Sequence, residues 1–244
     1  MTGLSHPLVS IVVPTYEERA NISELLDGVR AAMAGRPFEV WVVDDDSPDG
    51  TWQVAGDYGR RHPDAGIHVV RRQHDRGLSS AVIEGFDRAG GEILAVMDAD
   101  LSHPPTVVPR LADAVAAGAD LAVGSRRVAG GGADRWPWYR RRTSDVATIL
   151  ARRWLDVPLA DPMSGCFALR RSLFLDVRAR LQPRGYKILL EIVCRARPAS
   201  IVEVPYIFRD RRQGVSKLSV KVALEYVASL RQLRRETATG RSHR

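Results

Sequence analysis

The sequence has few cysteines and no internal repeats, and each absence excludes a class of protein. Only two of its 244 residues are cysteine, Cys166 and Cys194, and neither belongs to a Cys-x-x-Cys pair. A disulfide framework and a zinc site are therefore excluded, and we interpret both residues as reduced, buried thiols. Low-complexity sequence is confined to the basic tail after Arg234.

The chain also lacks the long apolar run of about 20 residues that a membrane-spanning helix needs. The segment Leu218–Leu233 comes nearest, but it contains Lys221, Glu225 and Arg231. The first eight residues do not have the basic and apolar regions of a signal peptide. We therefore expect a cytoplasmic protein that does not cross a bilayer by itself.

The composition is that of a folded protein with an excess of positive charge. Lys and Arg number 36 against 29 Asp and Glu, so the formal net charge is +7. Hydrophobic residues make up 45% and charged residues 27% of the chain, which is ordinary for a soluble fold. The length fits one large domain or two tightly fused small ones.

Short β-branched runs alternate with helical patterns over the first half of the chain. Strands are predicted at Val9–Val13, which Pro14 would end, and at Val40–Val43, Ile67–Val70, Ile93–Met97 and Leu121–Gly124. Helices are predicted between these strands. The first spans Asn21–Met33 and begins with a capping-box-like pair, Asn21 and Glu24. The second ends at about Arg61, and the others span Gly77–Arg88 and Pro105–Ala117. This order predicts an α/β fold, with a mostly parallel sheet and helices on both faces.

The pattern is less regular after Asp134. We predict a helix at Thr143–Leu155, a loop at Pro158–Gly165 and a strand at Ile201–Phe208. A basic amphipathic helix is predicted at Lys217–Arg235. Two interpretations of this last helix stay open: it packs on the domain and exposes its charges, or it lies on an anionic lipid surface or a membrane partner.

Asp98 and Asp100 directly follow a predicted buried strand. In an extended segment, residues i and i+2 project to the same side, so both carboxylates can face one point. Two like charges held together are unfavourable unless a cation lies between them, and Mg²⁺ or Mn²⁺ with substrate phosphates would satisfy them. The alternative is that Asp100 caps a turn and Asp98 is solvated. The acidic clusters at the ends of other strands favour the interpretation of Asp98 and Asp100 as metal ligands.

A second acidic cluster, Asp44–Asp46, follows the second strand. In parallel sheets, ligands bind beyond the carboxyl ends of the strands, and an acidic residue there can accept hydrogen bonds from a nucleobase or ribose. The alternative is that these aspartates shape the turn Ser47–Gly50 and cap the next helix. Both roles are compatible, and we assign the ligand role to Asp45.

The positive charge is concentrated in two segments. One holds Arg135 and Arg140–Arg142 among aromatic residues, and the other holds Arg209, Arg211, Arg212 and Lys217. Arginine forks match phosphate oxygens, which suits phosphorylated ligands. A nucleic-acid partner is not expected, because the acidic strand ends would repel a polyanion.

Several motifs together resemble a known family. They are Ser10–Glu18, Val42–Thr51, Asp98–Pro105, Gly124–Arg126, Ser164–Gly165, Gly185–Lys187 with Glu191, and Gly214–Leu218. In this order, from about residue 8 to 220, they are similar to those of the polyprenol-phosphate (dolichol-phosphate) mannosyltransferases, which are inverting glycosyltransferases. The resemblance implies a Rossmann-like GT-A fold, with residues 1–216 as the catalytic domain and 217–244 as a C-terminal helix and tail.

The resemblance also implies an activity: transfer of mannose from GDP-mannose to the phosphate of a polyprenol lipid, with Mg²⁺ or Mn²⁺. It places the protein at the cytoplasmic face of a membrane as a peripheral enzyme. The implied catalytic residues are Asp98, Asp100, Arg126 and Lys217. The implied contacts are Pro14, Tyr16, Glu18, Val43 and Asp45 with the nucleotide, Arg126, Arg141, Arg142, Arg211 and Lys217 with phosphate and acceptor, and Asp98, Asp100 and Ser102 with the metal.

Ser102 stands where relatives often have Gln, so its contact with the metal is open. Two alternatives to the implied activity also stay open. One is the same fold using UDP-glucose or UDP-N-acetylglucosamine, and the other is a non-catalytic subunit of a membrane complex. A phosphate acceptor needs no catalytic base, because the second pKa of a phosphate monoester lies near 6. It needs cations that offset the repulsion between two phosphorylated substrates.

Overall fold

The computed structural model describes residues 9–134, 138–182, 188–209, 226, 228 and 230–236, without the side chains of 139–141. Its first half alternates strands and helices as predicted. In chain order these are β1 (Val9–Thr15), α1 (Ile22–Ala32), β2 (Phe38–Asp44), α2 (Thr51–Arg61), β3 (Ile67–Arg71), α3 (Leu78–Arg88), β4 (Ile93–Val96), α4 (Val107–Ala116) and β5 (Leu121–Ser125), with a 3-10 turn at Pro63–Ala65.

The second half contains more regular structure than the sequence predicted. Its elements are β6 (Gly132–Ala133), α5 (Trp138–Leu155), β7 (Phe167–Arg170), α6 (Arg171–Arg178), α7 (Ile188–Ala196), β8 (Ile201–Pro205) and β9 (Ile207–Phe208). The prediction of one strand at Ile201–Phe208 was wrong, because Tyr206 separates β8 from β9. Helix α5 begins five residues before the predicted Thr143.

Seven strands form the main sheet in the order β3-β2-β1-β4-β7-β5-β8. Among the strands of the described residues, only β7 runs antiparallel to its neighbours β4 and β5, so the prediction of a mostly parallel sheet is confirmed. The sequence analysis missed β7, whose four residues run directly into α6 without an intervening turn. Strands β6 and β9 pair in a separate two-stranded sheet.

Two details at the start of the chain correct the prediction. Pro14 does not end β1, which continues to Thr15 and pairs with β2 along its whole length. Pairing with β4 stops at Val12, so the N–H that Pro14 lacks would face the side where no ladder continues. Asn21 does not form the predicted capping box with Glu24, since its side-chain amide donates to Glu18 instead.

Apolar side chains are buried on both faces of the sheet. Helices α1, α2 and α4 cover one face, where Ile11 and Val13 are fully buried. Helices α3, α6 and α7 cover the other face, where Val12 of β1 is buried. Burying one such side chain contributes roughly 1.5–3 kcal/mol, so the sheet is stabilised from both sides, as the alternating pattern predicted.

The described part of the C-terminal helix packs against the domain. Tyr226, Leu230 and Leu233 are buried in the same core as α3 and α7, whereas Arg231 and Arg235 are exposed. This agrees with the first of the two interpretations. The predicted domain boundary after residue 216 lies outside the described residues, and in the described part of the chain no helix has both the length and the apolar character to span a bilayer.

Both cysteines are free and buried, as predicted. Burial raises the pKa of the Cys194 thiol to about 11, so it is protonated at neutral pH. Burial, followed by the charge of Asp98, also raises the pKa of Cys166 far above its ordinary value. Neither thiol has the character of a nucleophile.

Candidate active site

A cavity of about 220 Å³ opens at the carboxyl ends of β1, β2 and β4. These parallel strands all end at the same edge of the sheet, so the segments that follow them converge. Six residues singled out from the sequence line this cavity: Pro14, Tyr16, Glu18, Asp45, Asp98 and Asp100. The remaining lining residues are Thr15, Leu78 and Ala99.

Asp44 holds the ends of β1 and β2 together. Its fully buried carboxylate accepts hydrogen bonds from Oγ1 of Thr15 at 2.8 Å and from the backbone N–H and hydroxyl of Ser47 at 2.8 and 2.7 Å. The hydroxyl of Ser47 also accepts from the backbone N–H of Glu17 at 3.0 Å. Asp44 therefore has the structural role that was the alternative for this cluster.

Asp45 lies at the cavity and is oriented by Arg72. The Nε of Arg72 donates to Oδ1 of Asp45 at 2.8 Å, and the backbone N–H of Gly77 donates to Oδ2 at 2.7 Å. Arg72 is itself buried and donates to Oγ of Ser80 at 2.9 Å. The sequence analysis missed Arg72, because it lies 27 residues from Asp45 in a segment with no recognisable motif.

Val43 is placed differently from the other predicted nucleotide contacts. Its side chain is fully buried in the core with α3 and is not among the residues that line the cavity. The contact of Val43 with a nucleotide therefore stays a prediction, and the buried position of the side chain leaves the backbone of β2 as the part that could make it.

Ser102 fixes the carboxylate of Asp100. Its hydroxyl donates to Oδ1 of Asp100 at 2.5 Å, and its backbone N–H donates to the same oxygen at 3.1 Å. The turn between them puts Leu101 in the left-handed region, at φ 60°. Ser102 is fully buried, and Nδ1 of His103 lies 3.2 Å from its hydroxyl oxygen. The visible role of Ser102 is thus to orient Asp100.

Asp98 lies between His103 and Gly165. Its Oδ2 is 3.7 Å from Nδ1 of His103, whose ring packs against Tyr206 at 5.3 Å between centroids. On the other side, a Cβ on residue 165 would overlap Oδ2 of Asp98. Glycine at 165 therefore gives the carboxylate its space, which explains a motif that the sequence could only single out.

The donor set fits a hard divalent cation that shares its coordination with substrate phosphates. Asp98 and Asp100 both line the cavity, and their carboxylates are oxygen donors. Among the residues described, no group of three or more His, Cys, Asp or Glu side chains is arranged to hold a metal by itself. One or two carboxylates are the usual protein contribution where Mg²⁺ is bound through phosphates, and Mn²⁺ also takes oxygen ligands.

Arg126 lies at the same edge, after β5, and is held by Asp161. Its Nε and Nη2 each donate to one oxygen of the Asp161 carboxylate at 2.7 Å, and its backbone N–H donates at 3.0 Å. The guanidinium lies over the ring of Phe208, 5.4 Å from the centroid. Such a two-pronged pair fixes the plane of the guanidinium as well as its position.

The ionisation of this pair follows from its surroundings. Burial by itself would raise the pKa of the Asp161 carboxyl, but the hydrogen bonds and charge of Arg126 outweigh burial and hold the pKa below its ordinary value. For Arg126, burial opposes the charged form, and Asp161 together with the more distant Asp98 raises the pKa. Arg126 and the metal-ligand candidate Asp98 therefore share one electrostatic environment.

The backbone before Asp161 is fixed by β8. The carboxylate of Glu203 accepts the N–H groups of Ala160 and Asp161 at 2.7 and 3.0 Å. The sequence analysis assigned this segment to a loop and missed Asp161. The sequence signal for Asp161 was its proximity to the motif Ser164–Gly165, which the sequence analysis had singled out.

The other basic residues are only partly described. Arg142 is exposed on α5. Next to Arg126, Arg127 donates to Asp145 at 2.6 Å and to Ser144 at 3.0 Å, which ties the first half of α5 to the site. The side chain of Arg141, and Arg211 and Lys217 entirely, lie outside the described residues, so their assignment stays a prediction.

A largely parallel sheet with two aspartates and a fixed arginine at its carboxyl edge is the arrangement expected of the GT-A class of nucleotide-sugar glycosyltransferases. The model of Glycosyl transferase family 2 matches residues 10–178. The chain belongs to this family, and its predicted class as a hexosyltransferase is confirmed.

Sequence relatives show which glycosyltransferases within this family the chain resembles. The dolichol-phosphate mannosyltransferase of Pyrococcus furiosus is 44% identical over 227 residues, which cover 92% of this chain and 63% of the relative. The polyprenol monophosphomannose synthase of Mycolicibacterium smegmatis is 41% identical over 216 residues, covering 86% of this chain and 80% of the relative. The predicted resemblance to polyprenol-phosphate mannosyltransferases is thereby confirmed.

Solved structures with the same fold contain nucleotides and manganese. A mannosyltransferase from Pyrobaculum calidifontis in complex with GDP-Man and Mn²⁺ has a TM-score of 0.64 at 20% identity, with 97% of this chain and 65% of that chain covered. A glucosyl-3-phosphoglycerate synthase from Mycobacterium tuberculosis with Mn²⁺ and UDP-glucose has a TM-score of 0.71 at 20% identity, with 93% and 80% covered. At this identity the likeness confirms the predicted GT-A fold.

Proposed function

We propose that the protein transfers mannose from GDP-mannose to the phosphate of a polyprenol, with inversion at the anomeric carbon. The observation that carries this proposal is the single cavity that unites Asp98 and Asp100 with Tyr16, Glu18 and Asp45. The names of the sequence relatives, which are dolichol-phosphate and polyprenol mannosyltransferases, support the same substrates.

The donor nucleotide occupies the part of the cavity formed by the ends of β1 and β2. Asp45 accepts hydrogen bonds from the guanosine through the lone pairs that Arg72 and Gly77 leave available, since each carboxylate oxygen can accept more than one. Pro14, Tyr16 and Glu18 complete this part, and Val43 contributes through its backbone. Tyr16 is 42% exposed, which leaves its ring accessible to a stacked base.

Asp98 and Asp100 would hold Mg²⁺ or Mn²⁺ together with the diphosphate oxygens, and Ser102 keeps Asp100 in place. When bound, the metal neutralises charge on the departing nucleoside diphosphate. Arg126 contributes a fixed positive charge at the same edge, and its pair with Asp161 prevents it from reorienting during the reaction.

In the transfer step an oxygen of the acceptor phosphate attacks the anomeric carbon of mannose. A bond forms between this oxygen and the carbon, and the bond from the carbon to the GDP oxygen breaks with its electron pair going to GDP. The acceptor is already anionic at neutral pH, so no side chain has to remove a proton. The repulsion between the two anions is offset by five basic residues, Arg126, Arg141, Arg142, Arg211 and Lys217. Because Lys217 belongs to this set, we expect Lys217→Ala to abolish transfer.

The test is incubation with radiolabelled GDP-mannose and polyprenol phosphate, followed by extraction into organic solvent. We expect label in the organic phase with Mg²⁺ or Mn²⁺, and loss of that label with EDTA. Label that never enters the organic phase would contradict the lipid acceptor, and transfer unchanged by EDTA would contradict the metal.

Donor identity is tested separately by thermal shift. GDP with Mg²⁺ is expected to raise the melting temperature more than UDP with Mg²⁺, because ligands stabilise the state they bind. A larger shift with UDP would favour the UDP-sugar alternative.

We also propose where the enzyme works. Because its acceptor is a lipid, the enzyme works as a peripheral protein at the cytoplasmic face of a membrane.

A further inference from the structure

His103 is a buried polar side chain beside the site that the proposed transfer step does not use. It is only 1% exposed and is not among the described residues that line the cavity. A side chain buried in this way acts on a ligand through its neighbours. Two of the residues that line the cavity, Asp98 and Asp100, lie close enough to His103 to transmit such an effect.

Aromatic packing fixes the ring of His103. The ring of Tyr206 lies 5.3 Å away between centroids at an interplanar angle of 32°, and the ring of Phe208 meets it edge-on at 5.5 Å and 83°. The backbone N–H of Arg209 also donates to the carbonyl of Ser102 at 3.0 Å, which ties the residue before His103 to the end of β9. The ring nitrogens of His103 therefore have defined positions.

The hydrogen bonds around Ser102 show that Nδ1 of His103 carries a hydrogen. The hydroxyl of Ser102 donates to Oδ1 of Asp100, with 2.5 Å between the two oxygens. Nδ1 of His103 lies 3.2 Å from the same hydroxyl oxygen. Because a hydroxyl has only one hydrogen, and Asp100 receives it, the oxygen of Ser102 accepts from Nδ1. The ring thus supports Asp100 through one intervening hydroxyl.

The same nitrogen lies close to the other carboxylate. Oδ2 of Asp98 is 3.7 Å from Nδ1, which is too far for a hydrogen bond but close enough for electrostatic attraction to the polar N–H. Two carboxylates that face one point repel each other in the absence of a cation. An N–H that interacts with Asp98 directly, and with Asp100 through Ser102, lowers the cost of keeping both carboxylates in place.

We propose that His103 is a positioning residue for the metal site. Its Nδ1–H keeps Asp98 and, through Ser102, Asp100 in the arrangement that a divalent cation needs. Partners of this kind, which contact the ligands and not the metal, orient the ligands and raise metal affinity. The inference rests on the proposed function, in which Asp98 and Asp100 bind Mg²⁺ or Mn²⁺ together with a nucleoside diphosphate.

Manganese binding in the presence of GDP tests this role without the transfer reaction. Electron paramagnetic resonance measures the Mn²⁺ that stays free in solution with the wild type, His103→Leu and His103→Asn. Leucine has no donor, whereas the amide nitrogen of asparagine is as many bonds from the backbone as Nδ1 is. We expect His103→Leu to lose roughly tenfold or more in affinity for Mn²⁺, and His103→Asn to stay close to the wild type.

Two further variants control for folding and for local packing. Tyr206→Phe keeps the ring that packs on His103 and removes only a buried hydroxyl that has no hydrogen-bond partner among the residues described, so it should bind Mn²⁺ as the wild type does. Melting temperatures check folding. If His103→Leu does not fold, His103→Gln replaces it, because its amide lies one bond further out than Nδ1, and we expect the same loss of affinity.

Three results would overturn the proposal. One is equal Mn²⁺ affinity in His103→Leu and the wild type. Another is an equal loss in His103→Leu and His103→Asn, because packing of the ring and not its N–H would then set the affinity. The third is a nitrogen hyperfine coupling of bound Mn²⁺ that the wild type shows and His103→Asn lacks, because His103 would then be a metal ligand itself.

Transfer assays separate this inference from the proposed function. His103→Leu is expected to need roughly tenfold more Mn²⁺ for half-maximal transfer and to approach the wild-type rate at saturating Mn²⁺. A loss of rate that saturating Mn²⁺ leaves unchanged would contradict the positioning role. Wild-type protein that binds Mn²⁺ with GDP but transfers nothing to polyprenol phosphate would contradict the proposed function, while the comparison of Mn²⁺ affinities would stand by itself.

Discussion

The two sides of the active-site edge are held in different ways. On the donor side, which is the side proposed to bind the nucleotide and is formed by the ends of β1, β2 and β4, two of the carboxylates accept hydrogen bonds from residues two or three positions away, as Asp44 does from Ser47 and Asp100 from Ser102. On the acceptor side, which follows β5 and is proposed to bind the acceptor phosphate, Arg126 is held by Asp161, which lies 35 residues further along the chain. Turn contacts therefore hold part of the donor side, where Asp45 is also held by Arg72 and Gly77 from 27 and 32 residues away, and tertiary contacts hold the arginine.

Removing a donor-side carboxylate is expected to have the largest effect. Asp100→Asn should lower transfer by more than about a hundredfold, because the neutral amide is a much weaker ligand for a divalent cation that stabilises several kcal/mol of developing charge. The assay is radiolabel transfer at saturating metal, with circular dichroism as the check on folding. Retained activity in Asp100→Asn would count heavily against the metal role.

Gly165→Ala tests whether the position of the Asp98 carboxylate depends on the absence of a side chain at residue 165. The added Cβ would overlap Oδ2 of Asp98, so the carboxylate must move, and we expect a loss of roughly tenfold to a hundredfold in activity. The matched control is Gly56→Ala in α2, where the added Cβ meets only the end of the Arg60 side chain, at 3.6 Å. The control should keep full activity and gain up to about 1 kcal/mol in stability. Equal activities in the two variants would remove the proposed constraint on Asp98.

Asp161→Asn breaks the contact on which the acceptor side depends. It removes one partner of a buried ion pair, so we expect a loss of about 3 kcal/mol in the free energy of unfolding and roughly tenfold in activity. The folded-state pKa of Asp161 is depressed, so its contribution is present above the unfolded-state pKa, near 3.9, and is lost as the pH falls through the folded value.

The difference in stability between wild type and Asp161→Asn should therefore be constant at neutral pH and shrink below about pH 4. Denaturant titrations at a series of pH values measure it. A difference that persisted unchanged into strong acid would mean that the carboxylate charge is not what holds Arg126.

Ser102→Ala is expected to have the smallest effect, because it leaves one of the two hydrogen bonds that Ser102 donates to Asp100. The backbone N–H of Ser102 still donates to Oδ1, and only the hydroxyl is lost. We expect a decrease of up to roughly tenfold in transfer, with a raised requirement for metal. A loss as large as that of Asp100→Asn would identify Ser102 as a metal ligand in its own right.

The contrast between the two sides explains which predictions succeeded. Strand and helix periodicity predicted the parallel sheet, and the order of the strands put Tyr16, Asp45, Asp98 and Asp100 at one edge. Strand β7 was missed because its four residues run directly into α6 without an intervening turn. Arg72 and Asp161 were missed because their partners are distant in sequence.

By itself the sequence determined the fold class and the acidic half of the site, because hydrophobic alternation and turns between neighbouring residues are local properties. Only the tertiary structure decided that Val43 belongs to the core, that Asp44 ties strands together while Asp45 lines the cavity, and that Arg126 is held by Asp161. These outcomes depend on which face of a strand is covered and on charge pairs formed between segments that only folding brings together.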